Sequence, residues 1–235
     1  MSQTEPRFAD FLSNKRASNL FTTVVNEPIG AFFALQAYRA GLAPTALTLI
    51  NLVIGLATGV TIILVAGSAA DGDVTWWPIA LAAAVAWQVS YSLDCSDGQL
   101  ARTTGRSSPM GARVDILCDV ASQATFCAAV VAVVQAYSPA VPAWFMAAFA
   151  SLWMVNLVTS ILQKGEQAAS MVTSKNLAVE LVKLVRDTGV IVLLMPLILI
   201  VYPEGMVWFM ALFTVVNGLF LFASIAFAAR DALRS

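Results

Sequence analysis

Histidine is absent from all 235 residues. That removes the commonest general base at neutral pH, the commonest zinc ligand and every Ser-His or Cys-His nucleophile pair. Charge is also scarce. Asp, Glu, Lys and Arg make up 11% of the chain, where an average soluble domain carries about a quarter. The three cysteines, Cys95, Cys118 and Cys127, lie inside apolar runs without zinc-ligand spacing, so they read as packing residues. No soluble domain and no low-complexity segment stands out. The N-terminus is polar up to about Leu20, so no cleavable signal peptide is expected. No nucleic-acid partner is expected either.

What fills the chain is apolar: 59% of residues, with a mean hydropathy of +0.80. That composition predicts a polytopic membrane protein of the all-α class. A helical span needs about 20 apolar residues, and six segments qualify: Leu47 to Gly67, Trp76 to Ala101, Gly111 to Ala136, Pro142 to Leu162, Val182 to Tyr202, and Met206 to Ala229. Basic residues set the orientation. Arg7, Lys15, Arg16 and Arg39 precede the first span. Arg102, Arg106 and Arg113 sit between the second and third. Lys164, Lys175, Lys183 and Arg186 sit between the fourth and fifth, and Arg230 and Arg234 follow the sixth. The remaining connections hold no basic residue, only Asp71, Asp73 and Glu204. Six spans therefore put every Lys and Arg on one side, with both termini cytoplasmic.

Residues 1–43 read as a cytoplasmic segment and 44–235 as the transmembrane catalytic domain. From Arg7 to Tyr38 the chain mixes charges with Phe8, Phe11, Leu12, Phe21, Ile29, Phe32, Phe33 and Leu35. It is too polar to cross the bilayer, and part of it is expected to lie in the interface as an amphipathic juxtamembrane helix. Gly41 and Pro44 mark the turn into the first span.

The segment from Leu93 to Val120 carries the chemistry. Asp94 and Asp97 are three apart at the end of the second span, and Asp115 and Asp119 are four apart at the start of the third. Each spacing puts both side chains on one helical face. A short polar connection makes the two helices antiparallel neighbours, so four carboxylates converge near the cytoplasmic surface. Charged groups at that depth are costly and mark function. Four together repel and require cations. Carboxylate oxygen suits Mg²⁺ or Mn²⁺, and two such ions form a template for phosphoryl chemistry. Gly98 and Ala101 leave the backbone open to a ligand. Arg102 offers a fork suited to phosphate oxygens. Gly111 opens the start of the third helix, and Ser107 and Ser108 add hydroxyls.

The pattern Asp94-x2-Asp97-Gly98-x2-Ala101-Arg102-x8-Gly111-x3-Asp115-x3-Asp119 resembles the signature of the CDP-alcohol phosphotransferase family at all eight fixed positions. Six spans, a juxtamembrane helix and the Pro44-x-x-x-Thr48 turn also fit. The resemblance implies that Asp94, Asp97, Asp115 and Asp119 bind two divalent ions, with Asp119 as general base. It implies that Pro44, Thr45, Asp94, Gly98, Ala101, Arg102, Ser108 and Asp115 border the CDP part of the donor. The implied reaction is direct displacement at phosphorus with release of CMP. A homodimer in the cell membrane is implied as well. Val114 and Ile116 flank Asp115, where eukaryotic choline and ethanolamine relatives have a nearby histidine; this favours a bacterial-type member.

The rival class is a divalent-cation transporter. Its aspartates should lie near the middle of broken spans, whereas these cluster at the ends of two adjacent spans. CDP-diacylglycerol is the expected donor, with a soluble CDP-alcohol as the alternative. Asn26 to Gly30 (NEPIG) faintly resembles members that use inositol phosphates. Lys175, Lys183 and Arg186 suit an acceptor carrying its own phosphate, inositol phosphate or glycerol phosphate; their plainer role is to enforce topology. Arg106 and Arg113 read equally as interface anchors, and Glu166 and Glu180 as solvated groups. Trp76, Trp77, Trp144 and Trp208 read as an aromatic belt, and Pro196 as a kink.

Overall fold

The computed structural model describes residues 5–16, 19–162 and 185–233. All regular structure among them is helical. Helix α1 (Phe8–Ser13) is followed by a π-helical turn at Thr22–Asn26 that runs directly into α2 (Glu27–Arg39). Then come α3 (Pro44–Ala70), α4 (Trp76–Thr103), α5 (Pro109–Tyr137), α6 (Ala143–Leu162), α7 (Thr188–Val201), a short 3₁₀ turn at Pro203–Gly205, and α8 (Met206–Ala232).

Among the described residues, three helical stretches are long and apolar enough to cross a membrane: α3, α5, and Pro203–Ala226, which holds most of α8. The 27 residues of α3 reach about 40 Å at 1.5 Å per residue. Helix α4 is as long, 28 residues, but its last third is polar. The apolar stretches Ala143–Thr159 and Thr188–Val201 are shorter. Helix α7 is shorter than the span expected from Val182, because Asp187 takes the N-cap position and its side chain accepts from the Gly189 N–H at 3.0 Å. Proline fixes other starts: Pro44 opens α3 and Pro109 opens α5, where the missing N–H costs nothing.

Among the described residues, two apolar clusters hold the helices. The larger centres on stacked and edge-on rings from α4, α5, α6 and α8. Trp87 meets Phe126 at 4.6 Å between centroids, Phe126 meets Trp153 at 5.5 Å, and Trp153 meets Phe213 at 4.5 Å. Such pairs add to the burial of large apolar surfaces. The smaller cluster joins α1, α2 and the start of α3 to the end of α4 through Phe11, Ala34, Leu47, Leu93 and Leu100. The segment before the first span is therefore docked. Helix α2 lies against α4 with Gly30, Ala31, Ala34 and Ala37 buried. At Gly30 a Cβ would stand 2.9 Å from Cys95 Cβ, so the NEPIG run has a packing role here.

Trp77, Trp144 and Trp208 stand exposed at helix starts, as a belt requires. Trp76 does not: its ring is in the larger core cluster, because it falls on the inward face of α4. Pro196 lies buried inside α7.

Candidate active site

The end of α4 and the start of α5 meet beside the start of α3. Asp94, Asp97 and Asp115 each offer a carboxylate oxygen, and these atoms lie within 4.8 Å of one another. The 3-residue step on α4 puts Asp94 and Asp97 on one face, and α5 supplies the third oxygen from across the turn. Asp119, one turn further along α5, is within hydrogen-bond contact of Asp94. All four predicted aspartates are thus neighbours. The donor set is carboxylate oxygen alone, which suits a hard divalent cation. The fit is good on chemistry too, since cations are what offset the mutual repulsion of such a group.

Two residues of α3 hold these carboxylates in place. Thr48 donates its hydroxyl to Asp97. Asn51 donates from Nδ2 to Asp94 Oδ1 at 3.2 Å. Ser90 donates its hydroxyl to Asn51 Oδ1 and, at 3.1 Å, to the Asn51 carbonyl. Because Oδ1 is taken by a donor, the amide nitrogen must face Asp94. Sequence reasoning missed Asn51 and Ser90. The available signal was polarity inside an apolar helix; nothing local indicated the partner.

Beside the aspartates a cleft of about 130 Å³ opens. Its walls bring together Pro44, Thr45, Gly98, Ala101, Arg102 and Ser108, all predicted, together with Asp97 and Asp115. Thr48, Arg106, Ser107, Gly111 and Ala112 also line it. So does Arg16, a residue of the N-terminal segment that no sequence pattern singled out for the site. Gly98 matters for space: a Cβ there would lie 2.8 Å from Arg102 Nη1. Ser108 is the N-cap of α5, accepting from the Gly111 N–H at 3.0 Å, so the positive end of that helix faces the same opening.

Of the three candidate acceptor residues, Arg186 is among the described residues. Lys175 and Lys183 lie outside the described residues, as do Lys164, Glu166 and Glu180. Arg186 is half-buried just before α7. Its Nε donates to Asn156 Oδ1 at 2.7 Å, its Nη2 to Thr159 Oγ1 at 3.1 Å, and its guanidinium carbon lies 3.6 Å over the Phe220 ring. Asp187, next in sequence and buried, accepts from the Phe21 N–H at 3.1 Å and from the Thr22 N–H and hydroxyl. It therefore ties this junction to the N-terminal segment.

No curated protein matches the chain. A family model, CDP-alcohol phosphatidyltransferase, matches residues 41–229. That range contains the aspartate cluster and most of the cleft wall, and it spans well over half of the 235 residues. The chain belongs to the CDP-alcohol phosphatidyltransferase family and is a transferase of substituted phosphate groups.

Proposed function

We propose that this protein moves a phosphatidyl group from CDP-diacylglycerol to a phosphorylated polyol, inositol phosphate or glycerol phosphate, and releases CMP. The observation that carries the reading is the convergence of Asp94, Asp97 and Asp115 within 4.8 Å at the edge of a cleft whose other walls are Gly98, Ala101 and Arg102. Small residues admit a nucleotide, and an arginine faces its phosphates. Asp94, Asp97, Asp115 and Asp119 are the residues that would hold two divalent ions, Mg²⁺ or Mn²⁺. Bound there, the ions supply charge neutralisation and Lewis-acid activation for the diphosphate.

The chain's own groups have distinct tasks. Asp119 accepts the proton of the acceptor hydroxyl. The acceptor oxygen then bonds to the phosphorus bearing the donor alcohol, and the bond from that phosphorus to the bridging oxygen breaks. CMP departs with the bridging oxygen, its charge faced by Arg102. Pro44, Thr45, Gly98, Ala101 and Ser108 border the nucleotide. Arg186 binds the acceptor's phosphate together with Lys175 and Lys183. The transmembrane domain, 44–235, crosses six times with both termini and the active site cytoplasmic. Residues 1–43 form its cytoplasmic cap. The assembly is a homodimer in a bacterial cell membrane.

The test is CMP release by the purified protein with Mg²⁺ or Mn²⁺. CDP-diacylglycerol is offered with inositol phosphate, glycerol phosphate, inositol or serine. We expect turnover with one phosphorylated polyol and its loss, by about 10²–10⁴, in Asp119→Asn. CMP released only from a soluble CDP-alcohol would replace the donor. Absence of any nucleotide binding would overturn the reading and favour cation transport.

A further inference from the structure

We propose that Arg16, delivered by the docked N-terminal helix, is a binding residue for the donor's diphosphate. Arg16 lies outside the residues matched by the family model, 41–229, yet it lines the same cleft as Arg102, Asp97 and Asp115. Its position is built. Phe11, fully buried, anchors α1 against α2 and α4, with the Tyr38 ring 6.1 Å away. At the end of α1, Asn14 donates from Nδ2 to Thr103 Oγ1 at 3.1 Å, and its carbonyl accepts from Arg102 Nε at 2.6 Å. The chain two residues before Arg16 is thereby fastened to the last turn of α4.

This arrangement sets like charges against each other. Arg16 is close enough to Arg102 for the two guanidinium groups to repel, and Arg106 lines the same opening. The nearby carboxylates offset this only in part: Asp97 and Asp115 line the same opening, and Glu27, buried and hydrogen-bonded by Gln99, is within electrostatic reach of Arg102 and Arg16. Cations held together at a cleft wall are relieved by an anion between them. Arg102 uses Nε on Asn14, and its Nη groups make no hydrogen bond to the described residues. A diphosphate with its metal-facing oxygens toward Asp97 and Asp115 presents its remaining charge to Arg16 and Arg102, in forked, charge-assisted bonds.

The inference rests on the donor site proposed above, and CDP binding to the full-length protein with Mn²⁺ separates the two. The parent protein must bind CDP, and Asp97→Asn must weaken it; failure of both overturns the donor site and this inference with it. Given that binding, Arg16→Ala is expected to raise the CDP Kd and the donor KM together, roughly tenfold for one lost charge-assisted bond. Arg16→Lys should recover part of the loss, and the acceptor KM should stay within about twofold. Lys15→Ala, one position away and not part of the cleft wall, should bind CDP like the parent. If Arg16→Ala binds CDP like the parent in detergent, the inference is overturned. If it loses only binding to vesicles rich in anionic lipid, Arg16 is a headgroup anchor instead.

Discussion

Asn51 of α3 donates its side-chain amide to Asp94 of α4, Nδ2 to Oδ1 at 3.2 Å, while Ser90 occupies the other end of that amide. The pair fixes the carboxylate from outside the proposed ligand set. Outer partners of this kind are worth about 10–100-fold in metal affinity. Asn51→Leu keeps the volume and removes the donor. Mn²⁺ titration of the purified variant is expected to show affinity lower by a factor in that range. An unchanged affinity would count against Asp94 as a ligand of the proposed metal site.

Gly98 and Arg102 are one helical turn apart on α4, and the guanidinium folds over the glycine. A Cβ at Gly98 would meet Nη1 at 2.8 Å and Cζ at 3.4 Å. The clash is with the far end of a flexible side chain, so the fold survives and the arginine moves. Gly98→Ala is therefore expected to keep its melting temperature and to lose CDP affinity by roughly tenfold, the cost of one misplaced charge-assisted bond. Calorimetric titration with CDP and Mn²⁺ checks it.

The aspartate cluster was legible in the sequence because its geometry is local. Two steps of three and four residues on consecutive helices, joined by a short turn, leave little freedom in where the carboxylates go. The same holds for Gly98, Ala101 and Arg102, which follow Asp97 on the same helix. Asn51 and Arg16 are different. Each reaches the site across a large sequence separation, and a polar residue in an apolar run or a basic residue in a charged segment does not announce its partner. The N-terminal segment was legible in composition, but its packing partner was not. Its small residues, Gly30, Ala31, Ala34 and Ala37, form a packing face for α4 that hydropathy alone does not announce. Trp76 misled for the same reason, since an indole at a helix start serves equally as belt or core. The length of α7 was set by Asp187, whose cap depends on backbone geometry rather than on apolar content.

Helices α3 and α5 approach each other closely at Gly59. A Cβ there would lie 2.5 Å from Thr125 Cγ2 and 3.3 Å from the Thr125 carbonyl oxygen. Thr125 cannot easily turn away, because its hydroxyl donates to the Ala121 carbonyl at 2.9 Å. Gly59→Ala is expected to destabilise by roughly 1–3 kcal/mol, the usual cost of overpacking. Thr125→Ser removes the clashing methyl, so the double variant should recover part of the loss. Thermal unfolding in detergent measures both; equal destabilisation with and without the methyl would count against the contact.

Glu27 sits at the start of α2, outside the spanning segments, and burial raises its carboxyl above the ordinary range, with the hydrogen bond from Gln99 opposing. A raised folded-state value means that the folded protein takes up this proton more readily than the unfolded chain. The stabilisation so gained is complete below the unfolded value of about 4.3 and is lost as pH rises through the folded value. Glu27→Gln removes the titration and keeps an oxygen for Gln99. The variant should melt higher than the parent at pH 8, and the gap should close toward pH 5. A constant gap across that range would mean that Glu27 is ionised with no penalty.

Arg186 provides the test of the acceptor. Its guanidinium is oriented by Asn156 and Thr159 and backed by the Phe220 ring, so its planar fork is held before any ligand arrives. Ligand binding then spends little rotamer freedom on it. Arg186→Lys keeps the charge and discards the fork and its two anchors. If the acceptor's phosphate docks here, this variant should raise the KM for the phosphorylated polyol roughly tenfold, the worth of one charge-assisted bond. The donor KM should stay close to the parent's, because Arg186 is not among the residues that wall the proposed nucleotide cleft. The converse result, a donor KM that rises while the acceptor KM holds, would move the acceptor site elsewhere. Equal loss in both would point to a structural role at the junction that Asp187 ties to Thr22. An Asp187→Asn variant, which keeps the shape of that junction and weakens its hydrogen bonds, should then reproduce the same balanced loss.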